Sequence, residues 1–217
     1  MENRPDFSNY LVHFTKDKLP CSKAKTNPAK EFAVKVSALD RLINILKQKQ
    51  IRSSELTWIH KNAVCFTECI WGSLLSHAQV YSSYGIGFTK EYIFQKGGNP
   101  VFYVRPKLHE HIKQISEEVK PFLTPFQPEY SKDPMAHNIK RVDYSHEREW
   151  RVPMDFDFEY KDVAFIIVKS LNDLKLPKLS PLVKQIGESK FIVMDNYKKV
   201  EQIWPIHKIE VGESIKK

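Results

Sequence analysis

The stretch Val163-Ala-Phe-Ile-Ile-Val168 is the longest apolar run in the chain of 217 residues, and it decides the fold. A membrane span needs roughly 18 consecutive apolar residues, so this run is far too short to cross a bilayer. Its length and its content of β-branched and aromatic residues are typical of a buried strand. We therefore expect a central strand at residues 163–168 and no membrane association.

Shorter patterns surround this run on both sides. Other strands are expected at residues 9–15, 63–67, 85–89, 101–105, 147–152, 191–194 and 209–211. Helices are expected at residues 38–49, 69–80, 90–95, 108–119 and 181–186. Since strands and helices do not alternate strictly, the order predicts an α+β fold. We expect one domain over residues 1–217, with a mixed central sheet split into two small sheets and flanked by helices.

The composition indicates a basic cytoplasmic protein. Lys and Arg total 34 against 26 Asp and Glu, which gives a net charge of +8. Such an excess favours a polyanionic partner, such as a nucleic acid or a phosphate-bearing cofactor, although ordinary surface lysines explain it equally well. Cys21, Cys65 and Cys69 form no CxxC pair, which favours free thiols in a reducing compartment. The N-terminus lacks the basic and apolar segments of a secretory signal.

The segment Glu147-Arg-Glu-Trp-Arg151 is the first candidate for chemistry. On a strand, Glu147, Glu149 and Arg151 share one face, and the two carboxylates lie about 7 Å apart. Such a pair can orient a sugar hydroxyl and stabilise an oxocarbenium-like centre. The alternative is a solvated strand face with a Glu–Arg pair. His146 points to the opposite face, which weakens a third reading, a metal-dependent nuclease, and we expect no metal site.

Two upstream patterns complete the set of candidates. His13 and Thr15 alternate on the first expected strand, where a neutral histidine can bond a ribose hydroxyl or serve a structural role. Tyr81 and Tyr84 precede the glycine-containing strand at residues 85–89. Aromatic faces beside glycines suit the stacking of a nicotinamide or a base, but a core aromatic cluster has the same pattern.

In this order, the strand histidine, the tyrosine pair and the Glu-x-Glu segment resemble the His-Tyr-Glu branch of the ADP-ribosyltransferase fold. The resemblance implies NAD as a substrate and an acceptor that is a nucleic acid or a protein. It implies catalytic roles for Glu149, Glu147 and His13. The implied NAD contacts are His13, Thr15, Tyr81, Tyr84, Phe88, Lys90 and Arg151.

A second resemblance covers residues 9–152. The stretches His13-Phe-Thr15, Val64-Cys-Phe-Thr-Glu68, Tyr81 to Lys90, Gly97 to Tyr103 and Glu147 to Arg151 look like the AbiGi-type abortive phage-resistance family. That family implies the antitoxin half of a two-gene bacterial defence system. Two functions therefore stand side by side. One is an NAD-dependent ADP-ribosyltransferase, and the other is a non-enzymatic antitoxin or regulator that binds a cognate toxin or DNA through its basic surface.

Overall fold

The computed structural model describes residues 7–17, 36–69, 81–105, 114–128 and 143–203, with side chains described as far as Lys199. The strands in these ranges are β1 (Tyr10–Phe14), β2 (Gln50–Ile51), β3 (Ser54–Leu56), β4 (Lys61–Glu68), β5 (Gly85–Thr89), β6 (Asn99–Pro100), β7 (Phe102–Val104), β8 (Leu123–Pro125), β9 (Trp150–Val152), β10 (Phe156–Asp157), β11 (Phe165–Val168) and β12 (Phe191–Val193). The helices are α1 (Ala38–Gln48), α2 (Lys90–Gln95), α3 (Leu171–Leu174), α4 (Ser180–Ile186) and α5 (Met194–Ile203).

One mixed sheet organises the described residues. Its strand order is β12-β11-β5-β1-β4-β9-β6, and β3 pairs with β4 outside this path. The β11–β12 pair is parallel and the other pairs are antiparallel. Two separate ribbons are formed by β2 with β10 and by β7 with β8. The predicted α+β class is confirmed. The strand expected at residues 163–168 is β11, which is buried along its whole length, but it begins at Phe165 and lies next to the edge strand β12, so it is not the central strand of the sheet.

The sheet carries an apolar layer on each face. On one face, which we call the α1 face, Leu11, Phe66 and Phe88 pack with Leu42 and Leu46 of α1. On the other, the α5 face, Val12, Phe165 and Ile167 pack with Cys69 and with Met194 of α5. Successive strand residues point to opposite faces, so each strand contributes to both layers. None of the helices within the described ranges has the length and apolar character required to span a bilayer.

Helix α1 follows directly from its sequence. The Ser37 side chain accepts a hydrogen bond from the backbone of Asp40, which satisfies one of the N-terminal amides. Leu39, Leu42, Ile43 and Leu46 recur at helical spacing and are all buried. The helix ends where Lys49 adopts a left-handed conformation. The predicted helix at residues 38–49 is thus confirmed, one residue shorter at its end.

A neighbouring side chain packs closely against a glycine of β5. A Cβ on Gly87 would lie 2.5 Å from the ring of Phe165. Phe165 belongs to β11, which pairs with β5 at this position. The side chain that packs over Gly87 therefore comes from the next strand of the sheet.

The predicted strand from Glu147 to Val152 is wrong in its first half. Residues Ser145–Glu147 form a 3-10 turn, Arg148 is left-handed with a φ of 43°, and the strand begins only at Trp150. A positive φ reverses the local direction of the chain, so strand alternation cannot hold across Arg148. His146 is exposed in this turn.

The helix expected at residues 108–119 is wrong at its described end, and other expected elements lie outside the described residues. Residues 114–119, the described end of the expected helix at 108–119, form turns, and a 3-10 turn follows at Lys120–Phe122. The remainder of that helix lies outside the described residues. So do nearly all of the helix expected at 69–80 and the whole strand expected at 209–211.

Candidate functional site

Four of the predicted side chains meet on the α5 face, and we call them the carboxylate cluster: Tyr81, Glu147, Glu149 and Arg151. Strand β9 brings Arg151 directly opposite Cys65 of β4. Because Val64 and Phe66 point into the α1 layer, Cys65 and its partner Arg151 point to the other side. Tyr81 reaches the same side by stacking on Phe14, at 5.8 Å between ring centroids.

Arg151 holds the carboxylate of Glu149. Its Nε and Nη2 donate to the two carboxylate oxygens of Glu149, each at 2.9 Å. Its Nη1 donates to the carbonyl oxygens of Pro121 at 3.0 Å and Leu123 at 2.7 Å. The two side chains are only 6% and 11% exposed. This bidentate pair is of the strong, geometrically specific kind, and it ties β9 to the segment that begins β8.

Glu147 is bonded in the same way to a protein group. The hydroxyl of Tyr81 donates to Oε1 of this buried carboxylate. Burial raises the pKa of Tyr81, and the bond to Glu147 raises it further, so the phenol stays protonated at neutral pH. The ammonium of Lys16 lies 4.0 Å from the centroid of the Tyr81 ring, in cation–π contact.

Two residues that the sequence analysis did not select border the carboxylate cluster. The Cys65 thiol faces Glu149 and Arg151, and burial raises its pKa well above the ordinary range. Burial also raises the pKa of Tyr103, whose hydroxyl donates to the carbonyl oxygen of Tyr144 at 3.1 Å. Both groups are therefore protonated at neutral pH, and Cys65 is not a thiolate nucleophile. No local pattern identifies either residue, because both arrive through strand pairing.

His13 lies on the opposite side of the sheet. Its ring meets Phe66 edge-on at 6.0 Å, on the α1 face, and its Nδ1 lies 2.9 Å from the carbonyl oxygen of Cys65. Burial, together with the positive charge of Arg41, lowers the pKa of His13 to about 4. The imidazole is neutral at physiological pH, as its expected role required. The structure does not bring it together with Glu149, since strand alternation sends His13 and Phe14 to different faces.

Tyr84 and Thr15 also lie apart from the carboxylate cluster. The hydroxyl of Tyr84 donates to Asp173 at 3.3 Å, and its ring packs against the α1 layer. Thr15 is fully buried, and its hydroxyl donates to the carbonyl oxygen of Ala38 at 2.8 Å. The two tyrosines therefore do not form a common aromatic wall, because Tyr81 and Tyr84 contact opposite faces of the sheet.

Of the remaining predicted cofactor contacts, Phe88 lies in the core and Lys90 forms an ion pair. Phe88 is fully buried and packs its ring against Phe66, Phe156, Phe158 and Tyr92. The Nζ of Lys90 lies 3.1 Å from a carboxylate oxygen of the buried Glu68. Within the described parts of the chain, no three His, Cys, Asp or Glu side chains are arranged to hold a metal ion.

The low pKa of His13 predicts a loss of stability in mild acid. The unfolded chain takes up the proton near pH 6.5 and the folded chain only near pH 4, so stability is full above pH 6.5. Between these values we expect the free energy of unfolding to fall as the pH falls, by up to about 3 kcal/mol. His13→Asn keeps a donor for Cys65 and should flatten this part of the profile in urea titrations.

The exposed His60 is the matched control for that measurement. Asparagine tolerates its left-handed backbone and the side chain is exposed, so His60→Asn should change the acid profile less than His13→Asn does. Identical profiles for the wild type and His13→Asn between pH 4 and 6.5 would contradict the assignment of a neutral, half-buried imidazole.

Comparison with known proteins gives a partial family match. A family model described as "Putative abortive phage resistance protein AbiGi, antitoxin" matches residues 30–124. This is less than half of the chain; the matched span includes Cys65 and Tyr81 and ends before Glu147. No curated protein and no solved structure matches the chain. From before α1 to β8, the chain is therefore similar to a family described as an antitoxin in abortive phage resistance.

Proposed function

We propose that this chain is the antitoxin component of a two-gene phage-defence system and acts by binding its toxin. The description of the family that matches residues 30–124 supports the setting and the antitoxin role. The observation that carries the proposal is the pairing of Glu149, whose two carboxylate oxygens both accept from Arg151. A carboxylate whose two oxygens already accept hydrogen bonds from an arginine is poorly placed to bind the ribose of a substrate.

The second carboxylate supports the same conclusion. Glu147 accepts a hydrogen bond from the hydroxyl of Tyr81. The carboxylates of Glu147 and Glu149 are therefore both hydrogen-bonded to side chains of the protein on the α5 face. His13, which would hold the ribose of NAD beside Glu149, contacts Phe66 on the α1 face. General acid–base or nucleophilic chemistry requires the reacting groups to converge on one substrate position. The buried bonds of the carboxylate cluster instead join β9, the start of β8 and the segment before β5.

The net charge favours an acidic toxin surface. An excess of +8 attracts an acidic partner over distance, and the attraction is screened by salt. We expect the toxin encoded beside this chain to co-purify with it at low ionic strength. The complex should weaken as NaCl is raised, and this is measured by the recovery of toxin on an affinity-tagged chain. Absence of the complex at every salt concentration would contradict the proposal.

A second candidate function is the NAD-dependent ADP-ribosyltransferase. The meeting of Tyr81, Glu147 and Glu149 on one face favours it, since two carboxylates beside an aromatic ring suit a sugar substrate. Its acceptor would be a nucleic acid or a protein. Incubation of the purified chain with labelled NAD separates the two functions. Release of nicotinamide or transfer of label, lost in a folded Glu149→Gln variant, would favour the enzyme over the antitoxin.

A further inference from the structure

A cavity of about 310 Å³ opens on the α1 face, away from the carboxylate cluster. It lies between α1, the end of β1 and the segment that begins with β2. Its polar lining consists of one histidine, two arginines and three side-chain amides: His13, Arg41, Asn44, Gln48, Gln50 and Arg52. Two isoleucines and a valine complete the wall. An apolar wall with a few convergent polar groups is typical of a small-molecule site.

The charges in this cavity favour an anion. Arg41 and Arg52 line it, and none of the described lining residues is acidic. The Nη1 of Arg41 donates to the carbonyl oxygen of Lys16 at 2.8 Å, which fixes the guanidinium at the cavity wall. Outside the cavity, the hydrogen bonds from Ser53 lower the pKa of Asp155, and the charge of the nearby Arg52 adds to this effect. Guanidinium groups bind phosphate by paired, charge-assisted hydrogen bonds.

His13 adds an acceptor to a site otherwise rich in donors. Because the imidazole is neutral and its Nδ1 faces the carbonyl oxygen of Cys65, Nδ1 carries the proton. The other ring nitrogen, Nε2, is then an acceptor for a hydroxyl group. Asn44 and Gln48 supply amide groups that both donate and accept. The lining thus combines an anion subsite with groups that recognise hydroxyls and polar ring edges.

We infer that this cavity binds a small phosphate monoester that carries hydroxyl groups, of the size of a nucleoside monophosphate. The volume lies at the low end of the range for ligand pockets, about 300 to 1,000 Å³, which fits one nucleotide better than a dinucleotide. The phosphate lies against Arg41 and Arg52, and a hydroxyl donates to His13. This site is separate from the carboxylate cluster and does not depend on the proposed binding of a toxin.

Calorimetric titration of the full chain with AMP, adenosine and inorganic phosphate tests the inference. We expect AMP to bind at least tenfold more tightly than adenosine, because a tenfold difference corresponds to about 1.4 kcal/mol and charge-assisted hydrogen bonds to the phosphate supply at least that much. The Arg41→Gln/Arg52→Gln double variant should lose at least about tenfold in AMP affinity. The His13→Asn variant should weaken AMP and leave inorganic phosphate unchanged. Lys47→Gln, an exposed position on α1 outside the cavity, is the matched control and should bind as the wild type does.

Two results would overturn the inference. One is equal affinity for AMP and adenosine, and the other is unchanged AMP binding in the double arginine variant with a normal thermal melt. A short 5′-phosphorylated oligonucleotide distinguishes a free nucleotide from the end of a nucleic acid as the source of the phosphate. Its binding supports the site only if it displaces AMP and requires Arg41 and Arg52. Equal displacement by the unphosphorylated oligonucleotide would contradict a phosphate site.

Discussion

Replacement of Arg151 by alanine is expected to lower the free energy of unfolding by about 3–5 kcal/mol. The substitution leaves the carboxylate of Glu149 buried without its cation, and two backbone carbonyls, of Pro121 and Leu123, lose a donor. Removing one partner of a buried ion pair costs more than the pair itself contributes, because the remaining charge is desolvated and unpaired. Urea unfolding followed by circular dichroism measures the change.

Two variants make this prediction specific. Arg148→Asn removes an arginine that is 41% exposed and only 3.7 Å from the buried Glu68, which keeps Lys90 at 3.1 Å. Asparagine tolerates the left-handed backbone of this position, so the substitution should cost less than about 1 kcal/mol. Glu149→Leu combined with Arg151→Met removes both charges and should be more stable than Arg151→Ala alone. A loss in Arg151→Ala no greater than in Arg148→Asn would contradict the account of the carboxylate cluster.

Replacement of Phe88 by alanine is expected to cost about 3–5 kcal/mol, because its ring is completely buried. The ring lies in edge-on contact with Phe66, Phe156 and Phe158, at 5.0–6.2 Å between centroids. Truncation removes these aromatic contacts and opens a cavity in the α1 layer. The same urea titration, with the m-value checked against the wild type, measures the loss.

Phe94 provides the matched control, since its side chain is 65% exposed on the neighbouring helix α2. Phe94→Ala should change the stability by less than about 0.5 kcal/mol. Near-wild-type stability in Phe88→Ala would mean that the ring does not support the core. That result would return Phe88 to consideration as a cofactor contact.

Local patterns accounted for the elements whose signals are local. Helix α1 has an N-cap at Ser37 and four buried apolar residues at helical spacing, so cap and periodicity agree. Strand β11 is buried along its whole length, as a continuous apolar run predicts for a strand inside a sheet. The strand predicted from Glu147 was wrong in its first half because Arg148 is left-handed. A left-handed residue is hard to recognise in a sequence when it is not glycine or asparagine.

The candidate site was harder to predict, because it depends on which face of each strand meets which neighbour. Strand alternation predicts that His13 and Phe14 point to opposite faces of the sheet. Which of them points to the α1 face is determined only by the pairing of β1 with β4 and β5. The register of β4 with β9 brings Cys65 to Arg151. These are long-range contacts. The grouping of Glu147 with Glu149 was predicted for strand geometry, whereas the structure achieves it through a 3-10 turn.

The most direct test of the proposed function is the growth of cells that express the toxin together with either the wild-type chain or Glu149→Gln. The uncharged amide is expected to keep one bond to Arg151, and a thermal melt verifies the fold. If the chain acts by binding, both versions restore growth equally and neither consumes NAD. Loss of rescue in a folded Glu149→Gln variant, with NAD consumed only by the wild type, would contradict the antitoxin and assign the chemistry to Glu149.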